Sequence, residues 1–177
     1  MIQSTPQTEK FSPRRMADKP RLDLAPRKDR RIIIGGIPVN ALDNRQWCDV
    51  LLDDWRTRQP GDRPKVVTTA NGQVLSLFAT DSAFRGAILA ADKIAADGMS
   101  IVKASRKYAR HPLPERVATT DWFHEAARVA ERHGLSFYII GATQEVNDQA
   151  IGAVRALYPR LKIAGHRNGY FSDDEIK

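Results

Sequence analysis

The chain predicts an α/β fold with a mostly parallel sheet. Short β-branched or apolar runs alternate with helical stretches along its length, and two of them, LSFYIIGA and LKIAGH, are separated by a single helical segment. Two strands joined in this way form a βαβ unit, whose crossover is normally right-handed. Polar residues recur where strands give way to helices, which is where open α/β sheets collect their ligands.

Each element has a local cause. In RIIIGGIPVN, residues 32–34 predict a short buried strand, and Gly35 and Gly36 permit a tight departure from it. Asp43 then caps a helix in which Trp47, Val50, Leu51 and Trp55 recur at i+3 and i+4, before Gln59, Pro60 and Gly61 stop it. Residues 65–68 read as the next strand. Val74, Leu75 and Phe78 follow as one apolar face, and Asp81 caps SAFRGAILAA. Residues 94–96 make another apolar approach, and a helix starts at Met99, after Asp97 and Gly98. Pro112 and Pro114 interrupt helix, whereas Thr120 or Asp121 caps a stretch with Trp122, Phe123, Ala126, Val129 and Ala130 on one stripe, ended by His133 and Gly134. LSFYIIGA is the best central-strand candidate; Thr143 introduces a helix bearing Val146, Ala150, Val154 and Leu157, and Pro159 separates it from the last strand. The sum is a Rossmann-like α/β/α core in one domain, residues 31–177, after a leader of residues 1–30.

Composition narrows the function classes. A chain of 177 residues with 42% hydrophobic content is long enough to bury a core. No stretch approaches the roughly 20 apolar residues of a spanning helix, and the leader lacks the apolar block of a secretory signal. A cytoplasmic protein is expected, and the lone Cys48, beside Trp47 in a helical pattern, reads as a buried structural thiol. The net charge of +7 is uneven: through Arg31 nine basic residues stand against four acidic ones, which leaves only +2 for the rest. Such a leader is expected to be disordered and attracts anionic lipid or nucleic acid without specifying either. Specific nucleic-acid binding is not expected, because basic and aromatic residues do not interleave.

The chemistry sits in two polar loops. KVVTTANGQVLSLF delivers Thr69 and Asn71 to the mouth of a helix, and AADKIAADGMSIV places Asp97 and Gly98 at the start of another. Backbone donors at a helix start hold an aspartate ionised, which suits a base; read in isolation, the same residues are a turn or cap and local backbone ligands. Gly141, at a strand's carboxyl end, lets a ligand approach an anion-favouring helix start. GATQEV lacks the full GxGxxG pattern, so it reads as a diphosphate edge or a simple turn. Lys103, Arg106, Lys107, Arg110 and Arg116 make a basic neighbourhood after Asp97, and His111, His124, His133 and His166 form no metal-ligand series.

In order, VVTTANGQVLSLFATDSAFRGAILAADKIAADGMSIV, PLPERVATTDWFHEAARVAERHGLSFYIIGA and YPRLKIAGHRNGYF resemble the WecG/TagA/CpsF family of bacterial glycosyltransferases, from Arg31 onward. The resemblance implies a peripheral, metal-independent, inverting enzyme. It would move an N-acetylmannosamine-type or related sugar from a uridine diphosphate donor to a polyprenyl-diphosphate-linked sugar at the cytoplasmic membrane face, in surface polysaccharide or teichoic acid synthesis. It implies Asp97 as the catalytic base, Thr69 as the second catalytic residue, and Asn71, Gly98 and Gly141 as donor-binding residues. An oligomer is also expected. Ser100 stands where the family often has a second glycine, and Thr119 precedes TD where AGTD is common. Relative to the family the domain is expected to be incomplete at its C-terminus, which keeps a noncatalytic nucleotide-sugar-binding or assembly module as the alternative.

Overall fold

The computed structural model describes residues 30–176, so nearly all of the expected leader lies outside the described residues. Strand β1 (Arg31–Ile34) and strand β2 (Ile37–Asn40) form an antiparallel hairpin with Ile34 opposite Ile37. Its two-residue turn is Gly35-Gly36, both with positive φ, the conformation that lets a tight hairpin match strand twist. Two expectations change here. The glycines return the chain as a second strand rather than releasing it toward a helix, and β1 is not buried: Ile33 is 67% exposed, while Ile37 and Val39 of β2 are fully enclosed.

Helix α1 (Asn44–Thr57) starts in a capping box: Asp43 Oδ1 accepts from the Gln46 amide at 2.8 Å, and Gln46 Oε1 accepts from the Asp43 amide at 2.9 Å. Strand β3 (Val67–Ala70) leads into α2 (Gly72–Thr80), and Asp81 both ends α2 and caps α3 (Ser82–Ala90). Strand β4 (Lys93–Ala96) runs parallel to β3 and leads into α4 (Met99–Tyr108). Helix α5 (Thr119–His133) starts one residue before the expected caps. Ala118 holds the cap position without a side-chain bond, and Asp121 sits in the first turn, paired with Arg116 at 2.8 Å. Gly134, left-handed at φ 72°, closes α5 as expected. Strand β5 (Ser136–Ile140), α6 (Gln144–Leu157) and β6 (Lys162–Arg167) complete the expected parallel βαβ unit, and a short 3-10 turn follows at Asp173–Ile176.

These elements make a mixed α/β fold, but the described strands do not join into one continuous Rossmann-like sheet. They pair two by two: β1 with β2, β3 with β4, β5 with β6. Strand β2 lies beside β4, where a side chain takes the place of a ladder bond: Asn40, 1% exposed, accepts from the Ile94 amide at 2.8 Å. Among the described residues, the expected central strand β5 is hydrogen-bonded along one edge only.

Side chains of β4 alternate between two cores, as the pleat requires. Ile94 and Ala96 join Ala70, Phe78, Ile88 and Ile101 on one face, and Ala95 joins Leu42, Trp47, Val50 and Val117 on the other. A third core, around Ala127, Ala130, Leu135 and Tyr158, covers β5 through Phe137. Helices α1 and α5 pack on each other and supply residues to both the second and third cores, so they bridge the two parallel pairs. Cys48 is buried as expected; burial pushes its thiol up, nearby Glu125 adds to this, and the Trp122 indole works the other way.

At the amino end of β4, Asp92 takes two hydrogen bonds from the Arg63 guanidinium, at 2.6 and 2.8 Å, and one from the Val66 amide at 2.8 Å. The Arg63 bonds, with help from Val66, hold the Asp92 carboxyl well below the usual aspartate range. A depressed carboxylate stabilises the fold fully above its unfolded pKa, and that contribution disappears as pH falls toward the native value. Asp92→Asn should therefore lower the urea midpoint at pH 7, and parent and variant midpoints should converge as pH falls below about 4. Asn40→Ala, which leaves the Ile94 amide unsatisfied in the core, should cost about 1–3 kcal/mol in the same measurement at any of these pH values.

Candidate active site

The carboxyl ends of β3 and β4 gather four of the five sequence-predicted residues. Thr69, half-buried, is the third residue of β3 and stands opposite Ala95 in the ladder. Asn71 follows the strand in extended conformation and caps α2, its Oδ1 accepting from the Val74 amide at 3.0 Å. Its oxygen is thus a local backbone ligand, and its amide nitrogen has no acceptor among the described residues. Asp97 follows β4, and its amide donates to the Ala70 carbonyl at 2.9 Å. That bond carries the ladder one step past the strand and sets Asp97 one residue beyond the Ala70–Ala96 pair.

Gly98 closes the group. A Cβ on Gly98 would lie 3.4 Å from both Cα and Cβ of Asn71, so the two loops meet in van der Waals contact. With φ at −173°, its backbone is simply extended, and the contact rather than strain is what suits glycine there. Ser100, noted in the sequence as a departure, has its hydroxyl in the same corner, 3.6 Å from that Cβ position and 3.9 Å from the equivalent point on Gly72.

Charge at the helix starts separates the two loops. Gly98 occupies the cap position of α4 with no side-chain cap bond, and the first turn of α4 holds no acid. The Asp97 carboxylate is therefore not the cap of α4, and the positive end of that helix has no carboxylate of its own first turn to offset it. By contrast, α6 begins with Thr143 accepting from the Val146 amide and with Glu145 in its first turn. Of the basic residues after Asp97, Arg116 is paired with Asp121, and Arg106 and Lys107 occupy the last turn of α4, about 10 Å along its axis from the helix start.

Gly141 stands at the end of β5, in the other parallel pair. Its φ is +155°, a region nearly confined to glycine, and its amide donates to the Arg167 carbonyl at 3.2 Å. Behind it lies a polar pair, Asn147 buried and His166 half-buried, that the sequence reading did not assign to a site. Asn147, 3% exposed, donates through Nδ2 to the Gly141 carbonyl at 3.0 Å, which turns its Oδ1 toward His166 Nδ1 at 2.8 Å. Because that oxygen accepts, Nδ1 is the donor, with Asp148 Oδ1 also near it at 3.5 Å. Only the close spacing of GATQEVN and GHRN around a βαβ unit hints at this pair.

Between β3 and β5 lies a cavity of about 780 Å³, walled by Val67 and Thr69 on one side and by Ser136 and Phe137 on the other, with Trp47 and Trp122 also lining it. Thr69 thus borders both the Asp97 loop and this space. Among the described residues no group of three or more His, Cys, Asp or Glu side chains is placed to hold a metal ion, and no helix is long and apolar enough to cross a membrane.

The model of the glycosyl transfer family WecG/TagA/CpsF matches residues 32–177. An N-acetylglucosaminyldiphosphoundecaprenol N-acetyl-beta-D-mannosaminyltransferase of Staphylococcus aureus strain MRSA252 is 32% identical over 110 residues, which is 62% of this chain and 42% of that protein. The protein of the same description from strain NCTC 8325 / PS 47 matches with the same identity and coverage. The chain therefore spans less than half the length of these relatives.

Gly141→Ala should cost roughly 1–3 kcal/mol from backbone strain alone, because no atom lies within 4 Å of the added methyl group. Gly98→Ala, on extended backbone, should cost less. Urea denaturation of both variants reads the contrast directly.

Proposed function

The chain belongs to the WecG/TagA/CpsF family of glycosyltransferases, and from that premise we propose that the β3–β4 end is the catalytic edge of an inverting glycosyl transfer. The donor in this reading is a uridine diphosphate sugar of the N-acetylmannosamine type. The acceptor is a polyprenyl-diphosphate-linked sugar presented at the cytoplasmic membrane face. The activity for which the Staphylococcus relatives are named, transfer of N-acetylmannosamine to N-acetylglucosaminyldiphosphoundecaprenol, supports this choice of chemistry. The observation that carries it is the Asp97–Ala70 bond, which sets an acidic residue without a side-chain partner among the described residues at the strand end that also holds Thr69 and Asn71.

In one displacement the acceptor hydroxyl oxygen bonds to the anomeric carbon of the donor, the bond from that carbon to the diphosphate oxygen breaks, and configuration inverts. The hydroxyl proton passes to the Asp97 carboxylate, and the electron pair of the broken bond leaves on uridine diphosphate. Thr69, with both a donor and an acceptor on one oxygen, orients the reacting groups. The free amide nitrogen of Asn71 and the uncapped start of α4 at Gly98 receive diphosphate oxygens; this assigns the leaving charge to α4 rather than to α6, where Glu145 already occupies the first turn. Gly141 is the far edge of the nucleotide site. No step requires a metal ion.

The second reading, a noncatalytic nucleotide-sugar-binding or assembly module, draws on one observation: Thr69 borders an open cavity rather than a packed wall. Product formation separates the readings. With a labelled uridine diphosphate sugar and a short-chain polyprenyl-diphosphate acceptor, turnover is expected, and Asp97→Asn should reduce it by about 100-fold or more while leaving circular dichroism unchanged. Donor binding by calorimetry without any product would favour the module, and full turnover by folded D97N would remove Asp97 from the mechanism.

A further inference from the structure

The polar groups behind Gly141 run in one direction only. The Gly141 carbonyl can only accept, so Asn147 turns its Nδ2 toward it, at 3.0 Å, and its Oδ1 toward His166 Nδ1, at 2.8 Å. The other group facing that ring nitrogen, Asp148 Oδ1 at 3.5 Å, is an acceptor as well, and it also takes a hydrogen bond from Gln144 Nε2 at 2.7 Å. Gln144 is fixed in this sense because its Oε1 accepts from the Asn168 amide at 3.1 Å. Every partner of His166 Nδ1 therefore takes a hydrogen from it. In the neutral ring this leaves Nε2 bare, as a hydrogen-bond acceptor.

Nε2 is the atom this network leaves over, with no partner among the described residues. The ring is held by a residue only 3% exposed, yet 27% of its own side-chain surface is open. Such support fixes the ring's orientation, as a binding group requires. His166 lies near the carboxyl end of β6, beside the end of β5, where open α/β sheets take their ligands. No atom lies within 4 Å of a Cβ built on Gly141, so there is room over that backbone. The Gly169 amide donates to the Ala142 carbonyl at 2.9 Å, which ties the turn after β6 to the same loop and brings the 77% exposed Tyr170, with its flat apolar face, to this edge. We propose that His166 reads the base of the nucleotide, its Nε2 accepting from the N3–H of uracil. This rests on the reading of the chain as a uridine diphosphate sugar enzyme with Gly141 at the far edge of the nucleotide site. Uracil carries a hydrogen on N3, whereas cytosine has a lone pair there. A fixed acceptor therefore binds the first and repels the second.

Two measurements on the whole chain test this, and neither depends on product formation. Proton–nitrogen correlation NMR of the side chains, at a pH where the ring is neutral, should show the His166 hydrogen on Nδ1. By calorimetry, uridine diphosphate should bind roughly tenfold or more tightly than cytidine diphosphate. Uridine diphosphate methylated at N3 should fall to the cytidine level, while the 2′-deoxy form should keep the full affinity. His166→Ala, at a half-exposed strand position where circular dichroism checks the fold, should bring the two nucleotides to within about threefold by weakening the uridine form alone. A hydrogen on Nε2, equal binding of the two nucleotides by the parent, an intact preference in folded H166A, or no binding of uridine diphosphate would each overturn the proposal. So would a loss caused by the 2′-deoxy form and not by N3 methylation, which would give the acceptor to the ribose. Uracil discrimination through His166 without any sugar transfer would keep this inference and remove the transfer reading; transfer that is indifferent to the base would do the reverse.

Discussion

The geometry of the β3–β4 end depends on one buried hydrogen bond. Asn40 closes the β1–β2 hairpin and gives its side-chain oxygen to the Ile94 amide, so an antiparallel hairpin is fastened to a parallel pair without continuing the ladder. That bond fixes the level of β4 against β2. The ladder between β4 and β3 then fixes Ala96 opposite Ala70, and the next step brings Asp97 to the Ala70 carbonyl. The position of the proposed base is thus inherited from a core amide three residues earlier. Because the amide is enclosed, no water can replace Asn40, which is why a single oxygen has such influence.

The chain spends its polar side chains differently at its several helix starts. Asp43, Asn71, Asp81 and Thr143 each satisfy a backbone amide, and Glu145 adds its charge to α6. Helices α4 and α5 start without side-chain caps, yet Asp121 stands in the first turn of α5. Helix α4 therefore combines an uncapped start with no first-turn acid, beside the Asp97 carboxylate that the β3–β4 ladder sets at its carboxyl end. The contrast distinguishes a loop built to hold a helix from one that leaves its donors open.

Local chemistry made much of this legible from sequence. Asp43, Asn71, Asp81, Thr143 and Gly134 announce helix ends because each acts within three or four residues, and the βαβ unit announces itself by its periodicity and Pro159. The turn at Gly35-Gly36 was harder, because two glycines permit both a departure and a return, and only the burial of Ile37 and Val39 selects the hairpin. Pairing partners were harder still. LSFYIIGA is apolar enough for a central strand, yet which strands flank it depends on contacts far apart in the chain. The grouping of Thr69, Asn71, Asp97 and Gly98 was visible as two polar strand exits, whereas the Asn147–His166 pair was not, since an asparagine inside a helix and a histidine inside a strand carry no local signature of burial.

The α1–α5 packing carries a thermodynamic consequence. With no backbone ladder between β3 and β5 among the described residues, cohesion between the two halves comes from side chains such as Trp47, Leu51, Trp122 and Phe123, which is non-directional and weakens on cooling. The β5–α6–β6 unit is thus tied to the rest of the described residues by side-chain packing against α1 and α5 rather than by a shared ladder. Temperature therefore acts on the contact between the two parallel pairs through the hydrophobic packing of one pair of helices.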